Sequence, residues 1–243
     1  MASSKEHYER VLTPVYSWMH GGFEAALGRN ADFFDRCGVR PARSGLAVDL
    51  GAGCGFQSIP LARLGFDVTA IDLDRQLLGE MRAHMRDLSI EAVQDDLLAF
   101  SQHLSSEIEL AVCMTDTLLH LDSRDDVSRL ISDVFTALEA GGRFIVTFRE
   151  LTTELEGLDR FIPVRSDSSR IFTCFLEYET DTVKVHDLVY TKTDEAWQFA
   201  GSYYRKLRLS QDWMAEQIER AGFAGLESSV ANGLVTLIAS KGG

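Results

Sequence analysis

The chain has 243 residues, of which 45 % are hydrophobic and 25 % charged, and its formal net charge is −13. That acidity argues against DNA, RNA or an anionic membrane as the main partner, because each needs a basic footprint. It leaves room for a small anion held by a few buried arginines. No run of about 18 apolar residues is present, so no membrane-spanning helix is expected. The stretch Met1-Ala2-Ser3-Ser4-Lys5-Glu6-His7 lacks the apolar core of a signal peptide, and a cytoplasmic location is expected. Cys37, Cys54, Cys113 and Cys174 are far apart in the chain, which points to packed, reduced thiols and to no metal site.

From about Lys5 to Arg36 the chain reads as helical, broken at Gly21-Gly22 and kinked or split at Pro14. Tyr8, Val11, Leu12, Val15, Trp18 and Met19 recur at steps of three and four, which makes one apolar face. A linker from Gly38 to Ser44 leads to strand 1, Leu46 to Leu50, a continuous apolar run suited to a strand buried on both faces. A glycine turn, Gly51-Ala52-Gly53-Cys54-Gly55, opens a helix that begins near Phe56 or Gln57 and ends at Gly65.

Strand 2 is Asp67 to Asp72, followed by a helix over residues 74–86 and a short strand from Ser89 to Gln94. Strand 4, Ile108 to Met114, runs out to His120. A helix over 124–140, stopped by Gly141-Gly142, precedes strand 5, Arg143 to Phe148. Strands alternating with helices at this spacing imply a parallel, doubly wound sheet. From Phe161 to Leu209 the pattern changes to about three longer strands, an antiparallel meander with turns at Glu179–Asp181 and Thr193–Glu195. Ser210 is a predicted cap for a helix over 212–221. Two closing strands meet at Asn232-Gly233, a hairpin turn.

The organising feature is strand 1 and its turn. Glycines there allow sharp backbone turns and close approach of a ligand, and the helix start beyond offers unpaired amides, so a nucleotide-like cofactor is expected. A dinucleotide fingerprint carries its third glycine three positions after the second. That position is Phe56, so the fit to NAD is poor. Asp72, about 20 residues beyond the turn at the end of strand 2, is placed to hold ribose hydroxyls.

Taken in order, Asp49-Leu50-Gly51-Ala52-Gly53-Cys54-Gly55, Ile71-Asp72, Asp96-Leu97, Cys113 through His120 and Ala140-Gly141-Gly142-Arg143-Phe144 resemble the motifs of class I S-adenosylmethionine-dependent methyltransferases. The resemblance covers roughly Leu46 to Phe148 and resumes at Ser210. The N-terminal aromatic segment and the meander are similar to small-molecule enzymes of the glycine or sarcosine N-methylating kind. The resemblance implies a Rossmann-like, seven-stranded α/β sheet with a C-terminal β-hairpin. The divisions expected are a helical cap (1–40), a core (41–150 and 208–243) and an inserted antiparallel subdomain (151–207).

It also implies direct in-line transfer of a methyl group to a small-molecule acceptor, with S-adenosylmethionine as cofactor. Under it, the backbone at Gly51, Ala52 and Gly53 lies against the cofactor, and Asp49 orients the turn or the cofactor's amino group, or else caps the turn's own amides. Asp72 accepts from the ribose, Leu73 packs on adenine, and Asp96 and Leu97 hold the adenine edge, with Asp95 as rival to Asp96. Met114 offers its carbonyl to the cofactor's ammonium. His120, Tyr16 and Arg149 are the catalytic candidates, His120 as base or polar anchor and Arg149 as partner for an acceptor carboxylate. Further acceptor-site candidates are Trp18, His20, Asp116, Arg165, His186, Tyr203 and Tyr204. A second copy could pair through the meander or the cap. The competing readings are a nucleotide-dependent oxidoreductase and a non-catalytic S-adenosylmethionine-binding module.

Overall fold

The computed structural model describes residues 7–194 and 196–243. The helix start near Lys5, most of the stretch read for a signal peptide and the end of the Thr193–Glu195 turn lie outside the described residues. Five parallel strands, β1 (Leu46–Leu50), β2 (Asp67–Asp72), β3 (Ile90–Gln94), β4 (Ile108–Cys113) and β5 (Leu138–Arg149), form most of one sheet. Two more strands, β10 (Gly225–Ala231) and β11 (Leu234–Ser240), complete it in the order β10-β11-β5-β4-β1-β2-β3. β11 runs antiparallel to both β5 and β10. Asn232 and Gly233, at φ 52° and 74°, make the tight turn between them, the backbone signs that a type I′ hairpin requires.

The strands alternate their side chains between two apolar cores. Val48, Leu50, Ala111 and Cys113 face α5 (Arg124–Ala137) and α6 (Gln211–Ala221), where Val127, Leu130, Ile131, Met214 and Ile218 pack. Ala47, Leu110 and Val112 face α2 (Phe23–Arg36), α3 (Ser58–Arg63) and α4 (Arg75–Met85), where Phe34, Ile59, Leu77 and Met81 pack. Ser210 caps α6 by accepting the Trp213 amide at 3.1 Å, as its residue type and place suggest.

The N-terminal segment is divided at Pro14, as expected. A wide π-type turn over Tyr8–Leu12 gives way to a 3₁₀ turn over Thr13–Val15, then α1 (Tyr16–Met19), and only then α2. Pro14 sits in the first turn of its piece, where a missing N–H leaves no bond unmade. The buried side chains Val11, Leu12 and Val15 form a third core with Phe172, Leu176, Val183, Val185 and Val189. Those five belong to a separate antiparallel sheet, β6-β7-β8-β9.

Two predicted elements change. The meander has four strands: β6 (Phe161–Ser166) precedes β7 (Arg170–Tyr178), β8 (Thr182–Lys192) and β9 (Trp197–Leu207). Gly141-Gly142 does not stop a helix either, because α5 ends at Ala137 and passes directly into β5. Gly141 takes φ +74°, and a Cβ on Gly142 would lie 2.9 Å from the Glu139 carbonyl. The pair therefore forms a bulge inside the strand, where the β4–β5 register shifts.

Candidate active site

The residues that end the parallel strands converge on a cleft of about 480 Å³. Gly51 and Gly53 follow β1, Asp72 ends β2, Asp96 and Leu97 follow β3, and Thr115 and Thr117 follow β4, and all of them line it. The carboxyl edge of a parallel sheet is where such folds bind ligands. A second cavity, of about 530 Å³, opens at the amino ends of β1 to β4.

The glycine turn is held from two sides. The amides of Gly51 and Ala52 both donate to the Ile71 carbonyl at 2.9 Å. The Gly53 amide donates to the Asp72 carboxylate at 2.8 Å, and the Asp74 amide donates to its other oxygen at 2.7 Å. Burial raises the Asp72 pKa, and these backbone bonds oppose the rise. Each carboxylate oxygen retains a second lone pair for a diol. Gly51 and Gly53 adopt φ +79° and +55°. A Cβ on Gly53 would come within 3.6 Å of the Tyr16 hydroxyl, and one on Gly51 within 2.2 Å of Thr117 Cγ2. The backbone thus passes where side chains would fill the space beside it.

Leu73 is 49 % exposed on the cleft wall, an apolar surface available to a flat ring. Asp96 caps the 3₁₀ turn Leu97–His103 by accepting the Leu98 amide at 2.8 Å. Asp95 accepts from the Asp96 amide and pairs with His103 at 2.7 Å. Asp96 lines the cleft and Asp95 does not.

Four of the twelve cofactor-binding and catalytic candidates do not line it. Asp49 is buried and accepts the Ser58 hydroxyl at 2.6 Å, which ties β1 to the start of α3 rather than capping the turn's amides. Burial pushes its pKa up to about 7. Ala52 is packed into the core. The Met114 carbonyl accepts the Thr117 hydroxyl at 2.8 Å. Arg149 is 58 % exposed and pairs with Asp116 at 2.8 Å.

Aromatic and titratable groups roof the cleft. Tyr16 stacks on Phe56 with ring centroids 5.9 Å apart. His120 stacks on Tyr204 at 5.1 Å, and its Nε2 is 3.2 Å from the Tyr8 hydroxyl. Its Nδ1 is buried without a hydrogen-bond partner among the described residues. Burial, assisted by the positive charge of Lys206, lowers the His120 pKa to about 3, so the ring is neutral at physiological pH. Burial likewise raises the Tyr8 and Tyr16 hydroxyls above their ordinary range.

The acceptor-site candidate Asp116 is taken up by partners within the fold, and Lys206, Thr13, Asp74, His7 and Asp187, which the sequence leaves unmarked, make comparable contacts. Asp116 is buried and left-handed (φ 69°), directly after Thr115 at φ 55°, two uncommon non-glycine conformations in succession. It accepts the Arg149 amide at 2.6 Å and Lys206 Nζ at 2.7 Å. Thr13 donates to Asp74 at 2.5 Å, and His7 pairs with buried Asp187 at 2.8 Å. Of the other acceptor-site candidates, Tyr204 joins the roof, while His186 pairs with Glu177 at 2.9 Å. No local pattern reveals contacts such as His7–Asp187, whose partners are 180 positions apart.

A family model described as a methyltransferase domain matches residues 47–142. The chain is 26 % identical over 104 residues to a glycine/sarcosine N-methyltransferase of Aphanothece halophytica, covering 42 % of this chain and 39 % of the relative. It is 27 % identical over 137 residues to one of Parasynechococcus marenigrum, covering 56 % and 48 %. The chain thus aligns with less than half the length of these two curated relatives. A crystal structure of a S-adenosylmethionine-dependent methyltransferase from Clostridium acetobutylicum superposes with a TM-score of 0.77 at 16 % identity, covering 95 % of this chain and 99 % of that one.

Proposed function

We propose that the chain is a class I S-adenosylmethionine-dependent methyltransferase, as its domain match, its sequence relatives and its fold support, and that it transfers a methyl group from S-adenosylmethionine to a small-molecule acceptor, an amine in the first instance. When bound, S-adenosylmethionine supplies an electrophilic methyl group on a sulfonium, open to in-line displacement. The observation that carries the reading is Asp72: a carboxylate at the end of β2, fastened to the Gly53 and Asp74 amides at 2.8 and 2.7 Å and lining the cleft. Asp72 would accept the ribose hydroxyls, Leu73 and Leu97 would pack on the adenine, and Asp96 would accept its amino group. The glycine turn would carry the ribose and methionine portion.

The roof completes the reaction chamber. Tyr8, Tyr16 and His120 line it and, with Tyr204 packed on His120, exclude water and restrict the acceptor's approach. Orientation of this kind supplies on the order of 7–11 kcal/mol. Neutral His120 has one ring nitrogen unspent, available to position an acceptor N–H or hydroxyl. An amine that enters uncharged needs no further base. Arg149 supports the chamber by holding Asp116 rather than by reaching into the cleft.

The test is turnover of S-adenosylmethionine with a panel of small primary and secondary amines, read as formation of the demethylated product. Acceptor-dependent product supports the reading. Tight cofactor binding with no turnover on any small acceptor would instead favour a non-catalytic binding module.

A further inference from the structure

Where the N-terminal helices meet the antiparallel sheet, two arginines lie over the Trp18 indole and a third joins one of them at Gly21. The guanidinium carbons of Arg165 and Arg170 lie 5.5 and 5.7 Å from the centre of the Trp18 ring. Arg165 and Arg29 each bring a terminal nitrogen within 3.5 Å of the place a Cβ on Gly21 would occupy, and Gly21 has φ +87°. Arg29 also donates to the His20 carbonyl. Among the described residues, none of the three arginines forms an ion pair with a carboxylate. In a chain with 37 acidic and 24 basic residues, three like charges left together without acidic partners stand out.

The cluster is built rather than incidental. Asp167 accepts the Ser169 amide at 2.7 Å, the Ser169 hydroxyl at 2.8 Å and the Arg170 amide at 2.8 Å. Its other oxygen accepts the Trp18 indole N–H at 2.5 Å. One side chain therefore fixes the turn between β6, which carries Arg165, and β7, which opens with Arg170, and ties that turn to Trp18 in α1. All the partners of Asp167 are uncharged donors. Three guanidiniums against one carboxylate leave an excess of positive charge that a dianion would balance, and planar guanidinium forks match the oxygens of a phosphate group.

We propose that Arg29, Arg165 and Arg170, gathered around Trp18 and Gly21, bind a dianionic phosphate group carried by the methyl acceptor. The part concerning the acceptor rests on the function proposed above; the anion site stands on its own geometry. Tyr16, which lines the cleft, packs against His20 with ring centroids 5.0 Å apart, and the His20 carbonyl accepts Arg29. A phosphate held at the arginines would therefore leave the rest of a small molecule beside the chamber roof. The acceptor class is a phosphate monoester bearing an amine.

The experiment is calorimetric titration of the full chain with inorganic phosphate at low ionic strength, in wild type, R29Q and R165Q/R170Q, with S-adenosylmethionine titrated separately into each. Expected are saturable phosphate binding in wild type and at least about tenfold weaker binding in both variants, with cofactor affinity unchanged. If the double variant loses its melting transition, R29Q alone carries the comparison. No saturation by about 10 mM phosphate in wild type overturns the site, as does equal binding by the folded variants. Acetate displacing phosphate at equal concentration overturns the dianion assignment. Failure of S-adenosylmethionine to bind bears on the methyltransferase reading and leaves the phosphate result standing.

Discussion

The Asp72 carboxylate accepts the Gly53 amide at 2.8 Å across 19 positions of chain. One side chain thus fastens the turn after β1 to the end of β2 and presents its remaining lone pairs to the cleft. Charge-assisted bonds of this type contribute about 1.5–3 kcal/mol each. D72A is expected to weaken S-adenosylmethionine binding by at least about tenfold and to lower stability by about 2 kcal/mol. Calorimetry and urea unfolding check the two effects separately. D72N, which keeps an acceptor oxygen, is expected to fall between.

Gly51 is held to glycine by space and by backbone. A Cβ there would sit 2.2 Å from Thr117 Cγ2, at φ +79°. Overpacking and the left-handed conformation together place the cost of G51A at about 2–4 kcal/mol. G51A/T117S removes the clashing methyl and is expected to recover part of that loss, while the backbone cost remains. Denaturant midpoints of the two variants give the comparison.

Asp116 and Lys206 connect the strand-4 exit to the antiparallel sheet. The carboxylate is buried, Lys206 is 13 % exposed, and they are 2.7 Å apart. Lys206 and Arg149 hold the Asp116 carboxyl well below the usual carboxylate range, against the effect of its burial. Its stabilising effect is present above the unfolded-state value near 4 and is lost as pH falls through the depressed folded-state value. K206M leaves the buried charge with only the exposed Arg149 and is expected to cost about 3 kcal/mol. D116N is expected to flatten the fall of melting temperature between about pH 4 and pH 2. An unchanged acid slope in D116N contradicts the assignment.

Asp49 has the opposite sign. Its pKa is raised to about 7 in the fold, chiefly by burial. The folded chain therefore binds more protons than the unfolded chain from about pH 4 to pH 7, and this group's contribution falls as pH rises through that window. D49N is expected to gain stability over wild type at pH 8 and to match it near pH 4. Melting curves at the two pH values decide it.

The parts of this fold that could be read in sequence are those whose causes are local. β1, β2 and β11 appear as apolar runs, the glycine turn as punctuation, the Asn232-Gly233 turn as a dipeptide and the Ser210 cap as a residue type in place. Gly141-Gly142 misled because a glycine pair signals a helix end and a strand bulge equally well, and only the β4 partner distinguishes them. β6 escaped notice because it is exposed along its whole length and contains Pro163, so it shows no alternation. Asp72, Leu73, Asp96, Leu97, Tyr16 and His120 were in view. Arg149 reads in sequence as a partner for an acceptor carboxylate, and in the fold it pairs with Asp116, as does Lys206, which carries no local signal. Both have one origin: a charge that serves a buried partner from another element looks the same in sequence as a charge awaiting substrate.

His120 has a pKa lowered to about 3, with burial as the main cause. Its ring therefore stays neutral from about pH 5 upward. The pH profile of methyl transfer is expected to show no limb from this histidine between about pH 5 and pH 8, so that any rise follows deprotonation of the acceptor amine. H120Q, which retains hydrogen-bonding atoms, is expected to raise KM for the acceptor while leaving the shape of the profile unchanged. A limb near pH 6.5 that disappears in H120Q contradicts a neutral positioning role.

The most direct measurement is calorimetric titration of S-adenosylmethionine, and of its demethylated product, into the wild-type chain and D72A. Saturable binding of both to wild type, with at least about tenfold weaker binding to D72A, is the expected result. No binding to wild type at millimolar cofactor, or equal affinity in folded D72A, contradicts the assignment of the cleft at the ends of β1 to β4.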